Sequence, residues 1–207
     1  MKAIIAKRVV PVAVIERVAD AVPLAGALRE GGINAIEVTL RTEAAFDAVE
    51  AIRAAFPDMA VGVGTVLEPA QVERARRVGA AFGVAPGLNE DVVRAARAAE
   101  LPFIPGVLTP SEVERALFFG LRLLKFFPAE AAGGVKMLEA LAGPYAHTGV
   151  KFIPLGGIHL ANLSAYLALP VVAAVGGTWF VNKKQIAAGD WGGIARQTRE
   201  AVAAAGA

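Results

Sequence analysis

The sequence predicts an α/β fold, a single (β/α)8 TIM barrel over residues 1–207 with a short N-terminal lead-in segment. Eight short apolar runs end in turn residues, and their starts recur at intervals of roughly 20 to 30 residues, the length of one strand plus one helix. Segments rich in Ala, Leu, Glu and Arg lie between them, with apolar residues at helical spacing. Such alternation indicates a parallel sheet, and eight strands with no linker favour closure over an open doubly wound sheet, which remains the alternative.

The eight predicted strands share β-branched or aromatic residues and a turn signal at the end. They are residues 9–15, 35–40, 60–66, 82–87, 103–108, 123–129, 151–157 and 171–179. Among the segments between them, the predicted helices include residues 21–30, 43–55, 69–78 and 111–119. Pro69, Pro110 and the pair Gly31 and Gly32 fall where these helices should start or stop, which supports the boundaries independently.

The composition excludes several classes of protein. The chain has 207 residues, 56% hydrophobic, and no cysteine, so it is long enough for a large core and cannot be a disulfide scaffold or hold Cys-ligated zinc. Its formal charge is +2, from 21 basic and 19 acidic residues, so no nucleic-acid partner is expected. His147 and His159, the two histidines, lack metal-ligand spacing, so we expect no metal ion.

Two apolar segments raise the question of a membrane. Residues 153–182 carry no charge, but Gly156, Gly157, Pro170, Gly176 and Gly177 break the segment too often for a spanning helix. Residues 9–15 are apolar but end at Glu16, with no cleavage site directly after them. We therefore predict a cytoplasmic protein without a membrane partner.

Lys125 is the single charge within an apolar strand, residues 123–129. Alternation places it on the barrel interior or against the helix layer, and both environments are dry. Desolvation lowers the pKa of a lysine, and a neutral amine attacks ketones to form a Schiff base. A buried ion pair, or a side chain that extends to the strand end, explains the strand equally well.

Glu37 favours the catalytic interpretation. Glu37, Thr39 and Arg41 share one face of their strand, while Ile36, Val38 and Leu40 form an apolar face for the helices. A glutamate in the barrel interior needs a partner or a function, and near a lysine it can exchange protons close to neutral pH. Arg41, at the strand end, can bind a substrate carboxylate. Considered without Lys125, Glu37 is more typical of a structural ion pair. A lysine and a glutamate on the inward faces of two strands together favour catalysis.

Two glycine pairs predict a phosphate site. Gly156 and Gly157 end the seventh predicted strand, and Gly176 and Gly177, followed by Thr178, end the eighth. In barrels the loops after these strands commonly bind phosphate, because glycines let backbone N–H groups approach the anion.

Several runs of the sequence resemble one family, the class I 2-dehydro-3-deoxy-phosphogluconate (KDPG) and 4-hydroxy-2-oxoglutarate (KHG) aldolases. The resemblance covers nearly the whole chain, and the runs from Glu37 and from Lys125 are specific to the family. The runs are EVTLRT (37–42), VGTVL (63–67), APGL (85–88), KFFPAE (125–130) and PLGGI (154–158).

The resemblance implies a role for each matching residue. Lys125 is expected to be the Schiff-base lysine and Glu37 the general acid/base. The expected pyruvoyl pocket is Arg41, Thr65, Pro86 and Phe127, and the expected phosphate site is Gly156, Gly157, Gly177 and Thr178. The family implies a metal-independent homotrimer that needs no cofactor beyond the covalent Schiff base.

The function predicted is cleavage of 2-dehydro-3-deoxy-6-phosphogluconate to pyruvate and glyceraldehyde 3-phosphate, with 4-hydroxy-2-oxoglutarate, cleaved to pyruvate and glyoxylate, as a further substrate. Leu155 departs from the threonine of phosphogluconate-specific members, so selection between sugar epimers is open and a phosphogalactonate aldolase is an alternative. The residues alone are compatible with two other functions. One is a sugar-phosphate isomerase with Glu37 as base, and the other is a non-catalytic phosphate-ligand binder in which Lys125 and Glu37 form a structural pair.

Residues 160–169 predict an outer helix without a charged face. An uncharged outer helix indicates burial against another subunit, so we expect this helix at or near an oligomer interface.

Overall fold

The computed structural model describes residues 2–206, and in this part of the chain parallel strands alternate with helices. The strands are β1 (Val9–Ala13), β2 (Ala35–Thr39), β3 (Ala60–Gly64), β4 (Phe82–Val84), β5 (Phe103–Ile104), β6 (Gly106–Val107), β7 (Leu123–Phe126), β8 (Lys151–Pro154) and β9 (Val175–Gly177). The helices are α1 (Lys2–Ile5), α2 (Ala21–Glu30), α3 (Ala45–Ala55), α4 (Pro69–Arg77), α5 (Glu90–Ala98), α6 (Pro110–Phe118), α7 (Gly134–Ala142), α8 (Leu163–Leu167), α9 (Lys183–Ala188) and α10 (Trp191–Ala204).

The prediction of one closed eight-stranded barrel is wrong. Within residues 2–206 the strands form two sheets, one of six strands in the order β5-β4-β3-β2-β1-β9 and one of three strands in the order β6-β7-β8. Every strand pair in both sheets is parallel, which agrees with the predicted α/β class.

Two local features separate the sheets. Pro105 divides the predicted strand 103–108, so that β5 pairs with β4 while β6 pairs with β7. Proline has no N–H to donate to a ladder, although the Pro105 carbonyl accepts from Lys125 N–H at 2.9 Å. On the other side, β9 begins only at Val175, and a single bridge between Phe152 and Val172 stands where the predicted strand 171–179 would have paired with β8.

Helix boundaries follow the sequence signals closely. α2 has the predicted bounds and ends before Gly31 and Gly32, the second of which has φ +93°. α4 and α6 begin at Pro69 and Pro110, where the missing N–H of proline costs nothing because the first turn has no intrahelical acceptor for it. At α6, Thr109 and Glu112 also cap each other's backbone N–H groups.

The interior holds an apolar cluster made by both sheets and the N-terminal helix. Its members include Val10 of β1, Val84 of β4 and Ile153 of β8, each no more than 5% exposed. Six members of this cluster line one small cavity together with Glu37 and Lys125, so the cluster lies directly beside these two buried side chains. None of the helices in residues 2–206 combines the length and the apolar character needed to cross a membrane.

Candidate active site

Lys125 and Glu37 face each other in the protein interior. Lys125 lies on β7 between Gly106 of β6 and Ile153 of β8, and Glu37 lies on β2. Their side chains are 7% and 4% exposed, and Lys125 Nζ is 3.7 Å from Glu37 Oε1. This distance is too long for a direct hydrogen bond but keeps the charges strongly coupled, because little water screens them.

Burial governs the chemistry of Glu37. It raises the pKa of the Glu37 carboxyl, because the charged form loses its hydration, and the nearby Lys125 opposes the shift only in part. A carboxyl with a raised pKa releases and recovers a proton closer to neutral pH than an exposed glutamate. Glu37 is therefore suited to proton transfer.

A glycine on the neighbouring strand makes room for this carboxylate. Glu37 pairs with Gly62 of β3, and its side chain extends along that strand to Gly64. A Cβ atom at Gly64 would lie 2.0 Å from Glu37 Oε1 and 2.7 Å from Glu37 Cδ, so no larger residue fits without moving the carboxylate. Glu37 Oε1 has no hydrogen-bond partner among residues 2–206.

A cavity of about 250 Å³ opens above the pair, and all ten predicted site residues line it. They lie on or directly after six strands of the two sheets, β2, β3, β4, β7, β8 and β9, and most of them follow the carboxyl ends, where parallel α/β folds place their sites. The ten are Lys125, Glu37, Arg41, Thr65, Pro86, Phe127, Gly156, Gly157, Gly177 and Thr178.

One side of the cavity carries a cation and a strained residue. Arg41, two residues after β2, is exposed at the mouth. Thr65 follows β3 with φ +60°, a left-handed conformation that is costly for a β-branched residue and marks a functional constraint where it occurs. The ring centroid of Phe127 lies 5.2 Å from Lys125 Nζ, close enough for a cation–π contact.

Another part of the cavity wall is a glycine loop held by the backbone of the segment after β7. Gly156 and Gly157 have φ +102° and +81°, which glycine adopts without steric cost. Glu130 N–H donates to the Gly156 carbonyl at 3.0 Å, and a Cβ at Gly157 would lie 2.7 Å from Glu130 Cβ. The buried Tyr166 of α8 donates its hydroxyl to Glu130 Oε1, so an inner side chain anchors the residue that supports the loop.

Gly177, the third glycine of the predicted phosphate site, is needed for a different reason, because a neighbouring side chain occupies the space of a Cβ atom. A Cβ at Gly177 would lie 1.7 Å from Trp179, whose ring packs against the backbone there, and a Cβ at Gly176 would lie 2.4 Å from Leu155. The approach of Gly176 to Leu155, the residue before Gly156, places the two glycine pairs next to each other in the cavity wall.

Six further residues line the cavity but were not among the predicted site residues. They are Val12, Val14, Thr39, Leu155, Ile158 and Gly176. The alternation along β2 already placed Thr39 on the inward face, and Leu155 stood out only through its departure from a family pattern. Val12 and Val14 carry no chemical signal, because an apolar wall residue has the same pattern as a core residue.

The histidines lie outside the cavity lining. His147 belongs to the 3-10 segment Gly143–Thr148, and the backbone N–H of His159 donates to Asn162 Oδ1 in a turn before α8. Within residues 2–206, no three His, Cys, Asp or Glu residues are grouped so that they could hold a metal ion.

Comparison with known proteins identifies the family. The family model of the KDPG and KHG aldolases matches residues 2–197. The chain belongs to this aldolase family. The resemblance of the sequence runs is therefore confirmed, and the chain is an aldolase, that is, a lyase.

Individual members of the family match the chain over most of its length. The 2-dehydro-3-deoxy-phosphogluconate aldolase of Treponema pallidum is 52% identical over 184 residues, which cover 89% of this chain and 87% of that protein. The KHG/KDPG aldolase of Escherichia coli K12 is 48% identical over 194 residues, which cover 94% of this chain and 90% of that protein. The crystal structure of the KDPG aldolase of Legionella pneumophila, with pyruvate captured at low pH as a covalent carbinolamine, superimposes with a TM-score of 0.91 at 43% identity and covers 95% of each chain.

Proposed function

We propose that this aldolase cleaves 2-dehydro-3-deoxy-6-phosphogluconate to pyruvate and glyceraldehyde 3-phosphate through a Schiff base on Lys125, with Glu37 as general acid and base. The observation that carries the proposal is the buried Lys125–Glu37 pair at 3.7 Å at the base of a cavity that all ten predicted residues line. The names of the Treponema pallidum and Escherichia coli relatives support the substrate, and the pyruvate carbinolamine of the Legionella pneumophila enzyme supports the covalent route.

The first half of the reaction forms the iminium. The unprotonated amine of Lys125 adds to the C2 carbonyl carbon, and the electron pair of the C=O bond moves to oxygen. The nitrogen then loses one proton and the oxygen gains one, which gives a neutral carbinolamine. Glu37 then protonates the carbinolamine hydroxyl, which leaves as water while the nitrogen lone pair forms the C=N bond. The raised pKa of Glu37 favours this role, because its carboxyl can still hold a proton to donate nearer neutral pH.

The second half breaks the carbon–carbon bond. Glu37, now a carboxylate, takes the proton of the C4 hydroxyl; the C3–C4 electron pair flows into the iminium, and the aldehyde leaves. Protonation of the enamine at C3 and hydrolysis of the new iminium release pyruvate. The iminium is the electron sink of this route, so we propose that the reaction needs no metal ion and that EDTA leaves turnover unchanged.

The two ends of the cavity suit the two ends of the substrate. Arg41 can hold the C1 carboxylate with charge-assisted hydrogen bonds, and Thr65, Pro86 and Phe127 enclose the pyruvoyl carbons. Gly156 and Gly157 have no side chain that would keep an anion from their backbone N–H groups, and Gly177 and Thr178 line the same cavity, where Thr178 adds a hydroxyl. This part of the cavity is proposed to bind the phosphate.

Borohydride trapping tests the covalent step. Incubation with pyruvate and sodium borohydride should add one reduced pyruvoyl group, located on Lys125 by peptide mass analysis. Lys125→Ala should show no adduct and no turnover, whereas Lys136→Ala, which removes an exposed lysine of α7, should behave like the wild type. The absence of any adduct would refute the Schiff base and favour the alternatives of a sugar-phosphate isomerase or a phosphate-ligand binder. An adduct on another lysine would refute the role of Lys125.

A shorter substrate, 4-hydroxy-2-oxoglutarate, is proposed as a second substrate. The Escherichia coli relative at 48% identity carries both activities in its name, and the pyruvoyl half of the two substrates is the same. The products would be pyruvate and glyoxylate. A substrate without phosphate makes no use of the glycine loops, so we expect a higher KM for it than for the phosphorylated sugar acid, measured in the same coupled pyruvate assay.

We propose a homotrimer as the assembly of this aldolase, as the family resemblance implies. The predicted helix 160–169 is shorter than expected, because α8 covers only Leu163–Leu167. Its outward positions still carry no charge: Leu160, Ala161, Ser164, Ala165 and Ala168 are all exposed. Light scattering of the purified chain measures the mass of the particle, and a monodisperse monomer would contradict both the trimer and the interface on this helix.

A further inference from the structure

Thr39 is a buried hydroxyl without a partner in the active-site cavity. The residue is 4% exposed, its side chain lines the cavity, and Oγ1 forms no hydrogen bond with any group in residues 2–206. A buried hydroxyl that is not hydrogen-bonded destabilises a folded protein, because it has lost its water without replacement. Such a loss of stability is expected at a binding site, where a ligand supplies the missing hydrogen-bond partner.

Other threonines in the same protein show what a structural hydroxyl does. Thr198 in α10 is fully buried and donates to the Ile194 carbonyl at 2.7 Å, and Thr42 donates to the Ile15 carbonyl at 2.6 Å. Thr39 differs from both in facing the cavity.

The position of Thr39 indicates what it would meet. Glu37, Thr39 and Arg41 follow one another on the inward face of β2 and its extension, from the base of the cavity to its mouth. Thr39 pairs with Gly64 of β3, one inward position above the pair of Glu37 with Gly62. A 2-oxo acid with its carboxylate at Arg41 and its C2 carbon at the Lys125 amine therefore places the substituents of C2 beside the Thr39 hydroxyl.

We propose that Thr39 is a further catalytic residue, whose hydroxyl donates a hydrogen bond to the C2 oxygen of the bound 2-oxo acid while Lys125 adds to the carbonyl. The inference rests on the proposed Schiff-base function. As the new N–C bond forms, the carbonyl electron pair moves to this oxygen, and the Thr39 hydroxyl stabilises the growing negative charge without giving up its proton. Glu37 remains the group that protonates the oxygen so that it leaves as water.

The test uses two substitutions that separate the hydroxyl from the shape of the side chain. Thr39→Val keeps the volume and removes the hydroxyl, and Thr39→Ser keeps the hydroxyl and removes a methyl group. The readout is the rate at which the borohydride-trapped pyruvate adduct forms at saturating pyruvate, followed by rapid quench and mass spectrometry. The melting temperature of each variant is measured alongside.

We expect Thr39→Val to form the adduct about 10²-fold more slowly, which is the usual effect of removing one donor to a developing oxyanion. Thr39→Ser should stay within a few fold of the wild type. The melting temperature of Thr39→Val should equal or exceed that of the wild type, because the variant loses an unpartnered hydroxyl.

The outcomes distinguish this inference from the function on which it rests. A wild-type protein that forms no adduct refutes the Schiff base itself. A wild-type adduct together with an unchanged rate in Thr39→Val overturns only the role of Thr39, as does a variant with weaker pyruvate binding but the wild-type rate at saturation. A lower melting temperature with an unchanged rate would show that Thr39 is structural.

Discussion

Replacing Gly64 by alanine should displace the carboxylate of the proposed general acid/base, Glu37, without changing Glu37 itself. The added Cβ would lie 2.0 Å from Glu37 Oε1 and 2.8 Å from Glu37 Cγ, whereas favourable carbon contacts begin near about 3.5 Å. The carboxylate must therefore retreat by about 1.5 Å. Gly64 is not in a positive-φ conformation, so the backbone itself accepts alanine and the effect comes from the contact.

The displacement has a predictable cost. Glu37 Oε1 lies 3.7 Å from the Lys125 amine, and a misplacement of about 1 Å in a reacting group can lower a rate about 10²-fold, or about 2.7 kcal/mol of barrier. We expect kcat of Gly64→Ala to fall by this factor, measured through lactate dehydrogenase and NADH as pyruvate is released. Overpacking should also lower the free energy of unfolding by about 1–3 kcal/mol.

Two controls make the result interpretable. Gly192→Ala adds the same methyl group to an exposed position of α10 where nothing lies within 4 Å, and it should leave kcat unchanged. In a Glu37→Ala background the atoms that clash are absent, so Gly64→Ala should cause little further loss. Wild-type kcat in folded Gly64→Ala, or an equal further loss in the Glu37→Ala background, would refute the steric account.

Three further predictions concern the pKa, the loop and the epimer choice. Burial raises the pKa of Glu37, so the native state keeps its proton at pH values where the unfolded chain loses it. The wild type should thus lose stability relative to Glu37→Gln as the pH rises above about 4.5 toward the raised pKa; parallel unfolding curves across this window would contradict the shift. Tyr166→Phe frees Glu130 beside the glycine loop, so KM for the phosphorylated substrate should rise a few fold while kcat holds and stability falls by about 1–2 kcal/mol; an unchanged KM would show that the loop does not depend on this contact. Leu155→Thr places a hydroxyl in the cavity wall and should change the kcat/KM ratio of phosphogluconate to phosphogalactonate substrates by about 10-fold, whereas an unaltered ratio would exclude this position from epimer selection.

Local signals predicted the strand and helix positions well. Seven of the predicted strands start at the residue where a strand of the structure starts, because β-branched runs follow directly on turns. The predicted strands extend too far: residues 123–129 are predicted as a strand, whereas β7 ends at Phe126, directly before Phe127 and Pro128. The predicted strands include residues that follow the observed strands and line the cavity. Hydrophobic patterning does not distinguish an apolar residue in a strand from an apolar residue in the cavity wall.

The sheet arrangement was beyond the reach of periodicity. Pro105 divides one predicted strand between two sheets, and only the pairing of β5 with β4 and of β6 with β7 reveals it. A proline within an apolar run is compatible with an edge, a bulge or a break, and the neighbouring strands decide among them. The predicted pairing of the last strand, residues 171–179, with β8 is also wrong, because only Val172 bridges to Phe152. This too depends on the neighbouring strands.

The sequence by itself determined which side chains share a face of a strand, because alternation is fixed by backbone geometry. For β2 the apolar opposite face also indicated that Glu37 points inward, whereas the direction of Lys125 was left open between the interior and the helix layer. The sequence thereby identified Lys125 and Glu37, while the family runs supplied the remaining residues around them. Only the tertiary structure decided that the amine and the carboxylate meet at 3.7 Å, that Gly64 makes room for the carboxylate, and that Thr39 has no partner. Distances between residues far apart in the chain depend on how strands pair and pack, and no local pattern of residues records that information.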